Sequence, residues 1–267
     1  MNRALFVHTW RSQRLKLAIV CIGLGIWSAV LPIVYGTFGQ TFKSIIDSGL
    51  IPKELTQFGG GDVFSLSGSL ALGAIHPISL ILNSIFAVGF ATSAVAGERQ
   101  RGTLEVLLAR PLSRWTVYRT LLAAVLVFVG VAVLASIVGA TIGSGIAGVA
   151  DELVPARLPL FWLNGVLLFG AIAAIGLAAS VSFDRLTPAL GLTVAVTVVS
   201  YFLEVLGTFW PDAKGLQTYS IFHYFDPKQV LEGNVATGNL ALLAAVAVVA
   251  IGWALWEFPR RDLAAPS

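Results

Sequence analysis

Few side chains in this 267-residue chain are equipped for chemistry, and their spacing argues against most of it. His8, His76 and His223 have no second histidine at a metal-ligand interval. A metal pairing of His223 with Asp226 competes with a plain interfacial loop pair. No serine, threonine or cysteine stands with a base and an acid in a nucleophilic set. Cys21 is the single cysteine, which excludes an intrachain disulfide; inside an apolar run, it says nothing about compartment. "GSGIAG" (143–148) fits the dinucleotide fingerprint letter for letter, but it follows an apolar helix rather than a strand. A flexible exit from that helix is the simpler reading. "GGGD" (59–62) matches the G-x-G-D of intramembrane aspartyl proteases, yet it lies in a polar loop and no second aspartate sits within an apolar segment. What survives is Glu204, the one ionisable residue well inside an apolar run. A carboxylate at the centre of a membrane helix costs about 2.5–3.5 kcal/mol. Glu204 lies about two turns from the end of its run. It either reaches the outer interface or lines a substrate path or gate.

The elements that would hold Glu204 follow from composition. The chain is 57% apolar and 12% charged, against about 25% charged in a soluble domain. Several runs exceed the roughly 18 apolar residues that mark a membrane span. Six spans can be drawn, near 17–35, 76–96, 117–142, 160–181, 188–210 and 240–256. All must be helices, because lipid offers backbone groups no water. The expected fold is therefore an all-α integral membrane protein, with residues 1–267 forming one transmembrane domain. A signal peptide competes for the first span, since Arg11, Arg14 and Lys16 precede it. No small-x-small cleavage pattern closes it, which favours an anchor. Trp253 and Trp256 suit an interfacial belt at the end of the last span.

Charge sets the orientation. Six spans place both termini on one side, and that side collects twelve of the seventeen Lys and Arg residues, among them Arg3, Arg14, Arg99, Arg101, Arg185 and Arg260. The other side collects five, with acids such as Asp47, Asp62, Asp151, Asp212 and Glu232. The twelve-rich side is expected to be cytoplasmic. The pI near 9.2 thus reflects charges that flank spans, and a nucleic-acid partner is not expected.

Four of these positives crowd into "GERQRGTLEVLLARPLSR" (97–114), between two apolar runs. Gly102 breaks the preceding turn, Thr103 can act as an N-cap and Glu105 lies near the positive helix end. Leu104, Leu107 and Leu108 form one apolar stripe on a short helix. Arg110 suits its C-terminus, Pro111 stops it, and Ser113 can cap the next helix. A two-turn helix is unstable alone, so its stripe must dock. Lipid headgroups, its own bundle and a cytoplasmic partner are the options.

This stretch resembles the loop between spans two and three of ABC-2 type permeases, the membrane subunits of one class of ATP-binding cassette transporters. The resemblance rests on Glu98-Arg99, Gly102-Thr103-Leu104-Glu105, Leu107-Leu108, Pro111 and Ser113-Arg114. "YSIFHYFDPKQVLEGN" (219–234) is similar to the aromatic external segment before that family's last span, with Ser220-Ile221 where Ser-Pro is frequent. The resemblance implies a permease subunit paired with a second, identical or related one, in a prokaryotic cytoplasmic membrane. Two copies of a separate ATPase would bind ATP and Mg beneath it. Glu98, Gly102 to Glu105, Leu107, Leu108, Arg110, Pro111, Ser113 and Arg114 would then form the ATPase-coupling element. Export is the expected direction. The chain itself has no G-x-x-x-x-G-K-[ST] loop and no cofactor of its own is expected.

Two flanking segments look amphipathic: 38–50, expected to lie along the outer interface, and 3–14, expected to form an inner elbow that meets anionic lipid and, on the resemblance, the ATPase. Gly139 and Gly143 form a G-x-x-x-G that suits close helix packing, within the bundle or between subunits. An ion-coupled secondary transporter is the main rival reading, but it would normally show several intramembrane charges or inverted repeats. A membrane-embedded enzyme lacks any catalytic constellation here.

Overall fold

The computed structural model describes residues 1–48, 62, 64–104 and 112–261, with the side chains of 40 and 42–47 left aside. Five helices are long and apolar enough to cross a membrane. They are α1 (Arg3–Asp47), α4 (Arg114–Ile146), α5 (Leu158–Ser182), α6 (Leu186–Phe209) and α8 (Thr237–Arg260). Between α1 and α4, α2 (Leu66–Ile75) and α3 (Pro77–Ser84) form a pair bent by 47°, with α3 running on as π-helix over Ile85–Phe90. A second π-helical stretch, Ser93–Gly97, follows, then one turn at Glu98–Gln100. After α6, 3-10 turns and the short helix α7 (Pro227–Glu232) precede α8.

The bend has a local cause. His76 is extended at φ −62, ψ 144, as a residue before proline should be, and its Nδ1 accepts the Ile78 amide at 3.3 Å. Pro77 then begins α3 where no N–H is needed. The second apolar segment therefore starts at Leu66 rather than near His76, and ten further residues are helical and mostly buried. The reading of two separate amphipathic segments around the first span is also corrected. Residues 3–14 and 38–47 belong to the single helix α1, whose backbone bonds continue through its basic start. Residues 49–50 lie outside the described residues.

Packing follows small residues. α1 and α4 meet along Gly25, Ala29, Gly139 and Gly143. A Cβ at Gly139 would lie 2.1 Å from the Gly25 carbonyl oxygen, and one at Gly143 would lie 2.2 Å from that of Ala29. The G-x-x-x-G is therefore an intrachain contact. α5 sits at the centre, buried along most of its length, while α6 and α8 leave most of their surface exposed. Ser113 caps α4 as expected, accepting the Thr116 amide at 3.2 Å. α7 starts on Asp226, which accepts the Gln229 amide, and ends at Gly233, whose φ of +91 no ordinary side chain favours.

The bundle has two distinct ends. Asn2 donates its amide to Thr120, Arg114 reaches Arg261, and Arg99 reaches Asp184. These contacts gather the start of α1, the end of α8, 98–104, 112–120 and 183–186 at one end. Tyr35 with Glu152, Ser67 with Glu232, and Asp62 with Lys228 mark the far end.

Candidate functional site

The terminal end carries a knitted polar platform. Asp184, in the short link between α5 and α6, accepts from both Arg99 and Arg261. Arg261 also donates to the Val181 carbonyl. Gln100 accepts the Leu186 amide at 3.0 Å. Arg114 donates to the carbonyls of Phe258 and Pro259 at 3.3 Å and of Arg261 at 2.7 Å, which satisfies the open C-terminus of α8. Two connecting segments and the end of α8 thus meet through one carboxylate and two guanidiniums. Asp184 was missed in the sequence, because its partners lie 85 and 77 positions away.

The residues assigned to ATPase coupling divide across this platform. Glu98 pairs with Arg101, and the Thr103 hydroxyl turns back to the Glu98 carbonyl at 3.1 Å and to its carboxylate. Gly102 takes φ +72, which explains a glycine there. Thr103 is already helical, so Gly102 precedes the helix and Thr103 is not the cap. Leu104 brings the larger correction. It is 1% exposed and belongs to the main core with Leu121 and Phe128. Of the docking options open to the leucine stripe, Leu104 takes its own bundle. Glu105, Leu107, Leu108, Arg110 and Pro111 lie outside the described residues. Beside this segment, a cavity of about 670 Å³ opens between it and the start of α1, lined by His8, Ser12, Ser93, Glu98, Arg101 and Thr103.

One side chain holds the platform to the core. Ser180, fully buried on α5, accepts the amides of Val95 at 3.0 Å and Ala96 at 2.9 Å and donates to the Thr92 carbonyl at 2.6 Å. π-Helical winding displaces backbone groups from their usual α partners. Here one hydroxyl meets three of them. No sequence signal distinguishes this serine from others in apolar runs.

The far end carries Glu204. Its side chain is 17% exposed and is covered by the turns that follow α6. Gln217, from the turns after α6, donates to the Glu204 carbonyl at 2.9 Å and to Oε1 at 3.2 Å. Oε2 is buried without a hydrogen bond and lies 3.7 Å from His223 Nδ1. Tyr201 and Phe222 stand beside it as an edge-to-face pair with centroids 5.5 Å apart. His223 thus faces Glu204, while the Asp226 carboxylate caps α7. Burial pushes the Asp226 carboxyl above its ordinary range, against the pull of the Gln229 amide. At Ser220-Ile221 the turn is made without proline, since Ser220 Oγ accepts the Phe222 amide at 3.0 Å.

Two comparisons bear on this arrangement. The family model described as "Multidrug efflux system permease Rv1217c, C-terminal domain" matches residues 6–259. The chain is also 26% identical over 206 residues to Uncharacterized protein YhcI of Bacillus subtilis (strain 168), covering 69% of this chain and 66% of that protein. The chain therefore spans slightly less than two thirds of that relative's length. The family match extends over nearly all of the chain, and the chain belongs to that efflux permease family. A membrane location accords with its five long apolar helices.

Proposed function

We propose that this member of the multidrug efflux system permease family is the membrane subunit of an ABC-2 type exporter. It crosses the membrane six times, the bent α2–α3 pair serving as one crossing, and both termini are cytoplasmic. It pairs with a second permease subunit in the prokaryotic cytoplasmic membrane. Two copies of a separate ATPase bind ATP and Mg beneath it and drive transport. Residues 98–114 form the coupling element. Leu104 anchors that element in the permease, while Glu98, Arg101 and the segment up to Pro111 meet the ATPase. Ser113 and Arg114 fix its return into α4.

The observation that carries this reading is the platform at the terminal end. The Asp184 carboxylate, held by Arg99 and Arg261, joins the 98–101 turn to the links after α5 and α8. A force applied there reaches three membrane helices. The excess of Lys and Arg at the same end supports its cytoplasmic side.

The test is transport in proteoliposomes that contain the permease with and without a candidate ATPase. ATP-dependent export only with both present is expected. Uptake or export driven by an ion gradient without ATP would refute the reading and favour the secondary transporter. Sidedness is checked separately with Cys21→Ser chains carrying Ser12→Cys or Asp212→Cys. The two positions should label from opposite sides with an impermeant maleimide.

A further inference from the structure

One face of α6 links an apolar groove to the buried carboxylate. Leu190, Val194, Thr197, Tyr201, Glu204 and Thr208 recur at alternating intervals of four and three, so they form a single helical stripe. The first four line a groove of about 440 Å³ whose opposite wall is Pro77, Leu80, Ile81 and Val88 from α3 and its π-helical continuation. That volume falls within the usual range for small-molecule sites. Tyr201 and Phe222 line the groove and also a recess of about 20 Å³ that holds Glu204 with Ile75 and Phe225. The two rings are therefore common to the groove and to the recess that holds the carboxylate.

The charge of this site is unbalanced. Glu204 Oε1 takes one hydrogen bond from Gln217, and Oε2 has none. Among the described residues, no Lys or Arg pairs with Glu204; its only ion-pairing neighbour is the His223 imidazole at 3.7 Å. The Asp226 carboxylate adds to the negative field at Glu204. A partly desolvated carboxylate without a fixed cation, next to aromatic faces, favours a positive ligand. A groove this apolar favours one with a hydrophobic body. A bare metal ion is disfavoured, because one carboxylate and two rings provide too few oxygen ligands.

We propose that the α3–α6 groove and Glu204 bind lipophilic organic cations, the apolar body in the groove and the positive centre toward Tyr201, Phe222 and Glu204. This rests on the transporter reading for its purpose, since it names the class of compound exported.

The test compares tetraphenylphosphonium with tetraphenylborate, ions of nearly equal shape and opposite charge, on the purified full-length permease in nanodiscs. Empty nanodiscs give the background to subtract. The wild type should prefer the cation by about tenfold or more. Glu204→Gln should remove that preference, Glu204→Asp should retain part of it, and Thr197→Trp should abolish binding of both ions by filling the groove. Helical content and melting of each variant must match the wild type. Equal binding of both ions, or a preference that persists in Glu204→Gln, would overturn the proposal. So would binding of neither ion, the outcome expected if acyl chains or a second permease fill the groove. The assay needs no ATPase. Cation binding without ATP-driven transport would sink the exporter reading alone, and ATP-driven transport without cation preference would sink this site alone.

Discussion

Replacing Ser180 by alanine removes one oxygen and strands three backbone groups. The amides of Val95 and Ala96 lose their acceptor and the Thr92 carbonyl loses a donor. The Ser180 side chain is fully buried, out of reach of bulk water. Each buried donor left unmade costs about 1–3 kcal/mol, so the two amides together set a ceiling near 6 kcal/mol. Rewinding of 93–97 toward ordinary α-helix would recover part of it, leaving about 2–4 kcal/mol. Every 1.4 kcal/mol is tenfold, so exchange of the Val95 and Ala96 amides should speed up by roughly 30-fold or more. The measurement is hydrogen exchange on the purified protein in nanodiscs, with apparent melting alongside. Ser136→Ala is the control, since its hydroxyl makes only a 3.5 Å bond back to Ala132 within its own helix. That variant should exchange like the wild type. If Ser180→Ala kept wild-type protection at residues 95 and 96, the hydroxyl would not be what holds the π-helical stretch.

Further outcomes are expected at other contacts. Gly139→Ala should lower apparent melting markedly, because its Cβ would sit 2.1 Å from the Gly25 oxygen, whereas Gly145→Ala, with open space around it, should be neutral. Leu104→Ala should destabilise the permease itself by about 2–5 kcal/mol, as a buried leucine truncation does. Leu107→Asp should instead leave the fold intact and release or uncouple the ATPase, read by pull-down and by the response of hydrolysis to substrate; wild-type pull-down would remove residues 105–110 from the coupling element. Asp184→Asn should change stability by less than about 1 kcal/mol, given its exposure, yet reduce transport per ATP hydrolysed. Unchanged coupling in that variant would detach the platform from the mechanism.

The long helices were readable because a run of apolar residues needs no partner to declare itself. The Leu66–Ile75 helix was not, since ten residues rich in serine, glycine and alanine fall short of a span, and His76-Pro77 looked like the true start. The continuity of α1 was hidden by the charges at Arg11, Arg14 and Lys16, which mark a membrane interface but do not stop a helix. For Leu104 the sequence correctly demanded burial and could not say against what. Glu204 stood out as a charge among apolar neighbours, but Gln217 and His223 reach it from turns whose path no periodicity predicts. Asp184 and Ser180 depend on pairings across more than 75 positions, and a single sequence carries no record of those.

The bend at His76-Pro77 has a mechanical consequence. α2 starts at the far end, where Ser67 meets Glu232, and α3 with its π-helical extension leads to the Arg99–Asp184 contact. A straight rod between those points would transmit a push along its axis unchanged. In a rod broken at 47°, an axial push on one arm would meet the other at an angle and have a sideways component. The knuckle is itself fastened: Trp27 Nε1 and Ser79 Oγ both donate to the Gly73 carbonyl, at 3.1 and 2.6 Å, just before the turn. Rotation about that pivot would move the Leu80–Val88 wall relative to α6 and so change the width of the groove between them.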